Sequence, residues 1–144
     1  MPRQKIELPE NWLFSTEIPV RITDLNYGRH VGNDTMLSLL QEARVQWLRG
    51  MGYPSELLVE PVGLILVDLA VRFKTELIYG DIARVQIAVA EWSRRGFELV
   101  YLVSKGGNEV ARATTGFVFF DYTARRLADA PVDFRGKAGA SSQR

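Results

Sequence analysis

The side chains that can take part in acid–base or polar chemistry are concentrated in one stretch, residues 24–34, which contains the only histidine of the chain. The candidate catalytic residues of this stretch are Asp24, Asn26, His30, Gly32, Asn33 and Asp34. A helix is predicted to follow, because Asn33 or Asp34 can cap it and apolar residues recur at helical spacing to about residue 49. The unpaired N–H groups at the start of such a helix point into the loop and favour negative charge. The stretch therefore predicts a site for a developing anion, although an ordinary turn before a capped core helix fits the same pattern.

Composition is ordinary for a soluble globular protein and excludes several kinds of site. The 144 residues fit one domain with a sizeable core. The formal net charge of +1 argues against binding nucleic acid or a membrane surface through bulk charge. The lack of cysteine excludes disulfides, a thiolate zinc site and a cysteine nucleophile, and a single histidine excludes a multi-histidine metal site within one chain. No apolar run approaches the roughly 20 residues of a spanning helix and no targeting segment is recognised, so we expect a cytoplasmic protein.

The elements that must position this loop are predicted from hydrophobic periodicity. Strands are expected at residues 13–23, 62–75, 82–92, 97–105 and 109–122, and the long helix lies between the first two. Tight turns are predicted between the later strands, at residues 79–81, 93–96 and 106–108, and such turns impose antiparallel pairing. We therefore predict an α+β fold in which one long helix packs on an antiparallel sheet of about five strands. Residues 1–13 are expected to form a loose arm, residues 14–134 the domain, and residues 135–144 a disordered tail.

The strand predicted at residues 62–75 is apolar on both faces over most of its length. One predicted face carries Ile65, Val67, Leu69, Val71 and Phe73, and the other carries Leu64, Leu66, Asp68, Ala70, Arg72 and Lys74. Such a strand indicates a partner subunit, since closed two-fold dimers are the commonest oligomers. The alternative is a central strand that is buried within one chain.

The loop and the helix carry an ordered set of motifs that a known family shares. Residues 24–33 are Asp-Leu-Asn-Tyr-Gly-Arg-His-Val-Gly-Asn, and residues 42–44 are Glu-Ala-Arg. Downstream come Gly-Asp at residues 80–81 and Val-Ala-Arg-Ala at residues 110–113. In order and spacing this set resembles the hot-dog acyl-CoA thioesterases of the 4-hydroxybenzoyl-CoA thioesterase-like family, whose loop pattern is Asp-x-Asp-x-x-Gly-His-Val-Asn-Asn. The resemblance covers about residues 14–134.

The resemblance implies a fold, an activity and an assembly. It implies the hot-dog fold and hydrolysis of a thioester between an acyl group and coenzyme A, or less often acyl carrier protein. It also implies a homodimer, or a tetramer built from dimers, with the site at the dimer interface under the N-terminus of the central helix. No metal or other cofactor is implied. The acyl pocket would be lined from the helix and the strand at residues 62–71, for example by Leu39, Leu66 and Trp47.

One departure from the family pattern changes the expected chemistry. The second Asp of the pattern is the catalytic carboxylate in the best-known branch, and Asn26 stands in its place here. An amide cannot act as a general base, although it can orient a water or donate to a carbonyl. The loop also resembles that of the plant acyl-carrier-protein thioesterases, which use an Asn and a His at the equivalent place, ahead of the central helix. Their His matches His30.

For thioester hydrolysis, the loop must supply a base and a site for the oxyanion. The N–H groups near Gly32 and Asn33 are predicted to hold the oxyanion. Asp24 and His30 are the favoured bases, with Asn26 orienting water or carbonyl, and Asp34 is the third candidate. The alternatives are a turn-stabilising Asp24, a loop histidine bonded to backbone, and a first-turn acid at position 34 that only complements the helix dipole.

Six further residues are candidates for substrate binding: Glu42, Asp68, Arg72, Lys74, Arg94 and Arg95. The four basic ones could take the phosphates of coenzyme A, or could be plain surface charge. Asp68 is expected to be a buried acid with a partner or a site acid from a second subunit. Glu42 is expected near the site, or on a solvated face of the helix, in a salt bridge with Arg44 or beside Gln46.

Two other functions compete with hydrolysis. A non-catalytic protein that binds acyl thioesters is favoured by the amide at position 26. A hot-dog dehydratase acting on hydroxyacyl thioesters is the other alternative.

Overall fold

The computed structural model describes residues 5–140 as one antiparallel sheet wrapped on one long helix. The elements are β1 (Phe14–Pro19), a 3-10 turn (Ile22–Asp24), α1 (Asn33–Gly50), β2 (Val62–Phe73), β3 (Ile82–Ser93), β4 (Gly96–Lys105), β5 (Asn108–Asp121), β6 (Arg126–Leu127) and α2 (Phe134–Ala140). The predicted α+β class is confirmed, and the sixth strand is only two residues long. No helix in the described part of the chain is long and apolar enough to cross a membrane.

The sheet has the strand order β1-β3-β4-β5-β2, and β6 pairs with the end of β5. The hairpins β3–β4 and β4–β5 follow the predicted turns. The turn at residues 79–81, however, does not join neighbouring strands, because β2 pairs with β5 and β3 pairs with β1 and β4. The connection between β2 and β3 therefore crosses the sheet, and β1 and β2 form its two edges.

The two predicted faces of β2 are wrong beyond its middle. The pairing with β5 shifts between Leu66 and Asp68, so that Val67 is an extra residue in the strand. Because a bulge inverts the alternation, even-numbered side chains face α1 before Val67 and odd-numbered ones after it. Leu66 and Leu69 thus share the helix side of the sheet, opposite Phe117 and Thr115.

The core lies between α1 and the concave side of the sheet. The buried residues of α1 are Met36, Leu39, Leu40, Ala43, Arg44, Trp47 and Leu48. Residues 135–140 of the expected disordered tail instead belong to α2, whose first residue, Phe134, is fully buried and contacts the rings of Trp47 and Phe97. Burial of this aromatic ring explains why the segment is helical where its glycines and polar residues predicted disorder. Residues 141–144 of the expected tail lie outside the described residues.

The N-terminal arm is packed, not loose, over its described residues. Ile6 is buried against Ala88 and Val100 on the face of the sheet opposite α1. Arg112 Nη1 donates a hydrogen bond to the carbonyl of Ile6 at 2.9 Å. The arm therefore covers apolar surface that a one-helix sheet would leave in water. Residues 1–4 of the predicted arm lie outside the described residues.

Candidate active site

α1 begins without a side-chain cap. Its N-cap residue is Gly32, whose carbonyl accepts a hydrogen bond from Met36 N–H at 3.0 Å. The prediction that Asn33 or Asp34 caps the helix is wrong, because both already lie in its first turn with exposed side chains. A glycine offers no oxygen to the N–H groups of this turn, so they keep their capacity to bind an anion.

The amide of Asn26 is held in one orientation by the loop. Its Oδ1 accepts hydrogen bonds from the backbone N–H of Gly28 at 2.9 Å and of His30 at 3.5 Å. Its backbone is fixed as well, since Asn26 N–H donates to the carbonyl of His30 at 2.9 Å. With the oxygen occupied by two donors, Nδ2 is the end of the side chain that can still donate.

The Asn26 amide and the Asp34 carboxylate both lie close to Gly32. A methyl group added to Gly32 would lie 2.8 Å from Asp34 Oδ1 and 3.6 Å from Asn26 Nδ2. The carboxylate and the amide nitrogen therefore both face the one point above the Gly32 Cα atom. The donor end of Asn26, the start of α1 and an acid are brought together there.

His30 lies on the other side of the Asn26 amide. A methyl group on Gly28 would be 3.2 Å from both His30 Nε2 and Asn26 Oδ1. His30 Nδ1 is 3.3 Å from the carbonyl oxygen of Val31, which can only accept a hydrogen bond. Nε2 is 3.7 Å from Glu76 Oε1. Within residues 5–140, no group of three or more His, Asp or Glu side chains is placed to hold a metal ion.

A small cavity of about 210 Å³ opens beside His30 and Asn33. Its other lining residues are Val31, Met36, Phe73, Lys74, Thr75, Glu76 and Leu77. Of the predicted phosphate ligands, Lys74 is thus the one beside the loop. Glu76, which the sequence analysis missed, gives this cavity an acid.

The carboxylate of Asp24 is hydrogen-bonded within the 3-10 turn. Its Oδ2 accepts from Arg21 N–H at 2.8 Å, and its Oδ1 is 3.2 Å from Arg21 Nη2. Burial alone would raise the pKa of this carboxyl, but the hydrogen bonds and charge of Arg21 outweigh it and hold the pKa below its usual value. This arrangement is the turn-stabilising alternative, and it makes Asp24 a poor proton acceptor.

Glu42 lies on the side of α1 that faces Asp24. Both line a groove of about 510 Å³ between α1 and β1, together with Arg21. Glu42 Oε2 accepts a hydrogen bond from Gln46 Nε2 at 2.8 Å. Of the alternative expected for Glu42, the contact with Gln46 is therefore present, and the salt bridge with Arg44 is not, because Arg44 pairs with Glu56 instead.

Arg44 belongs to a buried network that sequence reasoning missed. Its Nε is 2.5 Å from Glu56 Oε2, and its Nη1 donates to the hydroxyl of Tyr101 at 3.0 Å. That hydroxyl is 2.7 Å from Thr115 Oγ1. Burial would lower the pKa of the guanidinium, but Tyr101 and Glu56 raise it above its ordinary value. The signal was the position of residue 44, beside the apolar stripe of the predicted helix.

This network closes one end of a cavity of about 240 Å³ between α1 and β2. The rest of its lining is mainly apolar, with Leu37, Leu40, Leu64, Leu66, Leu69 and Phe117 among the residues. Of the three residues predicted for an acyl pocket, Leu66 lines this cavity. Leu39 lines the groove on the other flank of α1, and Trp47 is fully buried in the core.

The predicted phosphate ligands are not assembled within one chain. Lys74 N–H bonds to Val110 near the start of β5, whereas the carbonyl of Arg95 accepts from Phe119 near its end, about 30 Å away along the strand. Arg94 lies in the same turn as Arg95, which pairs with Asp129. Arg72 lies on the face opposite α1, in register with Arg112.

Asp68 is exposed, so the expectation of a buried acid with a partner does not hold within one chain. Its Oδ1 accepts from Leu69 N–H at 2.8 Å beside the bulge.

Comparison with known proteins identifies the family. The model of the thioesterase-like superfamily matches residues 20–137. A putative esterase from Aquifex aeolicus (strain VF5) is 33% identical over 76 residues, which are 52% of this chain and 59% of that relative's length.

Solved structures are similar over nearly the whole fold. A 1,4-dihydroxy-2-naphthoyl-CoA thioesterase from Synechocystis has a TM-score of 0.79 and 24% identity, covering 88% of this chain and 95% of its own. A Staphylococcus aureus protein solved in complex with coenzyme A has a TM-score of 0.83 and 14% identity, covering 96% of this chain and 89% of its own. The chain therefore belongs to the thioesterase-like superfamily and has the hot-dog fold that its loop and helix motifs predicted.

Proposed function

We propose that the chain hydrolyses acyl-CoA thioesters to a free acid and coenzyme A. The observation that carries the proposal is the fixed amide of Asn26, whose Oδ1 accepts two backbone N–H groups and whose Nδ2 is left to donate beside the uncapped start of α1. Family membership supports the reaction class. Coenzyme A is the favoured carrier, since a coenzyme A complex is known for a protein of the same fold.

In this reaction, the carbonyl oxygen of the thioester becomes an oxyanion when water attacks. Asn26 Nδ2 and the N–H groups of the first turn of α1 would donate to that oxyanion. A thiolate is a good leaving group because thiols have pKa values near 8.5. The site then needs mainly the oxyanion donors and one base, for which Asp34 and His30 are the two candidates beside the Asn26 amide.

The acyl group is proposed to enter the cavity between α1 and β2. This cavity starts at Leu37, one helical turn from Asn33, and ends at Arg44 and Glu56. An apolar lining with a polar end would suit a compact acyl group better than a long chain, since long chains need an open apolar tunnel.

The active form is proposed to be a homodimer, or a dimer of dimers, that joins through β2. This edge strand exposes Leu66, Val67, Leu69 and Phe73, and its outer backbone groups have no strand partner within the described part of one chain. Exposed apolar edges of this kind mark interfaces. A partner at β2 would also cover the open side of the acyl cavity.

The test is thiol release from a panel of short, branched, aromatic and long acyl-CoA thioesters. Asn26→Ala is expected to lower kcat by about 10²–10³ because an oxyanion donor is lost. Asn11→Ala, which removes an exposed amide outside the site, is the matched control and should retain activity. Wild-type protein that binds acyl-CoA in calorimetry but releases no thiol from any substrate would instead establish a non-catalytic binding protein, the function that an amide at position 26 otherwise favours.

A further inference from the structure

Two departures from the family's loop pattern are neighbours in space. The pattern has Asp where this chain has Asn26, and Asn where it has Gly32. The missing side chain at Gly32 leaves the point above its Cα atom open, and a methyl group there would be 2.8 Å from Asp34 Oδ1. A side chain at the N-cap residue would therefore push the Asp34 carboxylate away from the position that it has over glycine.

We propose that Asp34 is the general base of this chain, occupying from the first turn of α1 the place of the carboxylate that Asn26 lacks. The proposal rests on the thioesterase function above and deepens it by naming the residue that takes the proton. His30 is the competing candidate, and the orientation of the Asn26 amide separates the two. The donor end, Nδ2, is 3.6 Å from the point above Gly32 that Asp34 also faces. His30 Nε2 lies at the Oδ1 end, towards Gly28 and Glu76.

Asp34 and Asn26 Nδ2 can thus act on the same reacting group from adjacent positions. The carboxylate accepts a proton from the attacking water as the water oxygen bonds to the carbonyl carbon. Asn26 Nδ2 and the first-turn N–H groups hold the oxyanion that forms. When the tetrahedral intermediate collapses, the C–S bond breaks, and the proton on Asp34 passes to the leaving sulfur, giving a free acid and coenzyme A thiol.

The exposure of Asp34 fits this role better than a purely structural one. Its side chain is exposed in the single chain, and within residues 5–140 it has no ion pair of the kind that Arg21 makes with Asp24. A carboxylate that only complements the helix dipole would not depend on a glycine at position 32, since the dipole acts on any first-turn acid.

The experiment compares three variants by thiol release and by calorimetric binding of a non-hydrolysable acyl-CoA analogue. Asp34→Asn keeps the shape of the side chain and is expected to lower kcat by about 10²–10⁴ with binding unchanged. The double variant Asn26→Asp/Asp34→Asn returns the carboxylate to the family's position and is expected to recover at least tenfold over Asp34→Asn. Asp133→Asn, far from the loop beside α2, is the matched control and should equal wild type.

Gly32→Ala supplies a second, independent test. The backbone of Gly32 (φ −72°) suits alanine, so the fold should survive, while the methyl group displaces the carboxylate of Asp34. Activity should fall at least tenfold with an unchanged circular dichroism spectrum. The acid limb of the pH profile of kcat/KM should also vanish in Asp34→Asn, which a structural role would not cause.

The outcomes separate this proposal from the proposed function. Full activity in Asp34→Asn, with loss in His30→Gln, overturns the assignment to Asp34 and leaves the thioesterase function standing. Equal inactivity of the double variant and Asp34→Asn overturns the claim that the two positions serve one water. Wild-type protein that releases no thiol overturns the proposed function and this assignment with it.

Discussion

At the scale of single residues, hydrogen bonding decides which polar groups of the loop can still meet a substrate. Both carboxylate oxygens of Asp24 are bonded to Arg21. The amide oxygen of Asn26 accepts a backbone hydrogen bond, whereas its amide nitrogen can still donate to a substrate. Asp34 is exposed over a glycine. Two aspartates within eleven residues therefore take different roles, because the hydrogen-bond partners of each carboxylate, and not its chemical type, set what it can do.

Replacing Asp24 by alanine is expected to cost about 0.5–2 kcal/mol of stability at pH 7, the usual cost of losing a capping side chain. The folded-state pKa of Asp24 lies below its unfolded value, so its contribution is full above that unfolded value and is lost as the pH falls through the folded one. The wild-type and Asp24→Ala unfolding free energies, measured in urea, should therefore begin to converge as the pH falls below about 4, and should meet only below the folded-state pKa. A variant that keeps its stability but loses activity would return Asp24 to the catalytic role.

At the scale of elements, α1 is anchored to the sheet by a polar network as well as by its apolar stripe. Arg44 reaches Glu56 in the segment before β2 and Tyr101 in β4, and its guanidinium carbon lies 4.8 Å from the centre of the Phe117 ring in β5. A buried charge of this kind is stable only while its partners are in place. The network therefore ties the helix, the loop after it and two strands to one relative position, which also sets the end of the α1–β2 cavity.

Arg44→Ala is expected to lower the free energy of unfolding by about 3–5 kcal/mol, because Glu56, still partly buried, loses its charged partner and keeps only the hydrogen bond from Gln41. Arg44→Met, which fills the space without charge, should be less destabilising when combined with Glu56→Gln. Arg126→Ala, at an exposed arginine of β6, is the control and should change stability by no more than about 0.5 kcal/mol. Urea titration measures all of these variants, and an Arg44→Ala protein as stable as the control would show that the network does not anchor α1.

At the scale of the whole molecule, the sheet has two edges of different character. β1 carries Pro19 at its end, which has no N–H to offer a further strand. β2 exposes apolar side chains instead, with Val67 59% and Phe73 49% accessible in one chain. The proposed active site lies at the N-terminal end of α1, and an interface at β2 would place a second copy beside the proposed acyl cavity.

Val67→Lys is expected to convert a dimer to a monomer, since a charge at the bulge of β2 opposes burial of this edge. Analytical ultracentrifugation at several protein concentrations measures the change. Ile22→Lys is the matched control, because Ile22 is equally apolar and 66% exposed but lies in the 3-10 turn, away from β2. A wild-type protein that sediments as a monomer, or a Val67→Lys variant that stays dimeric, would place the interface elsewhere or remove it.

Local patterns in the sequence determined the long helix, the later hairpins and the polar loop before the helix, because each depends on residues a few positions apart. The hot-dog fold was implied by the resemblance of those motifs to a known family, and the family match confirms it. The candidate residues around His30 lie together because they are within eleven positions of the chain. These features need no knowledge of what packs against them.

The tertiary structure decided what depends on distant partners. The pairing of β2 with β5, the bulge at Val67 and the packing of α2 through Phe134 all involve contacts between segments far apart in the chain. So does the network of Arg44 with Tyr101, which is 57 residues away. Folding also decided the contacts of the two carboxylates of the loop. Asp24 bonds to Arg21, and Asp34 lies over Gly32, only once the backbone has turned.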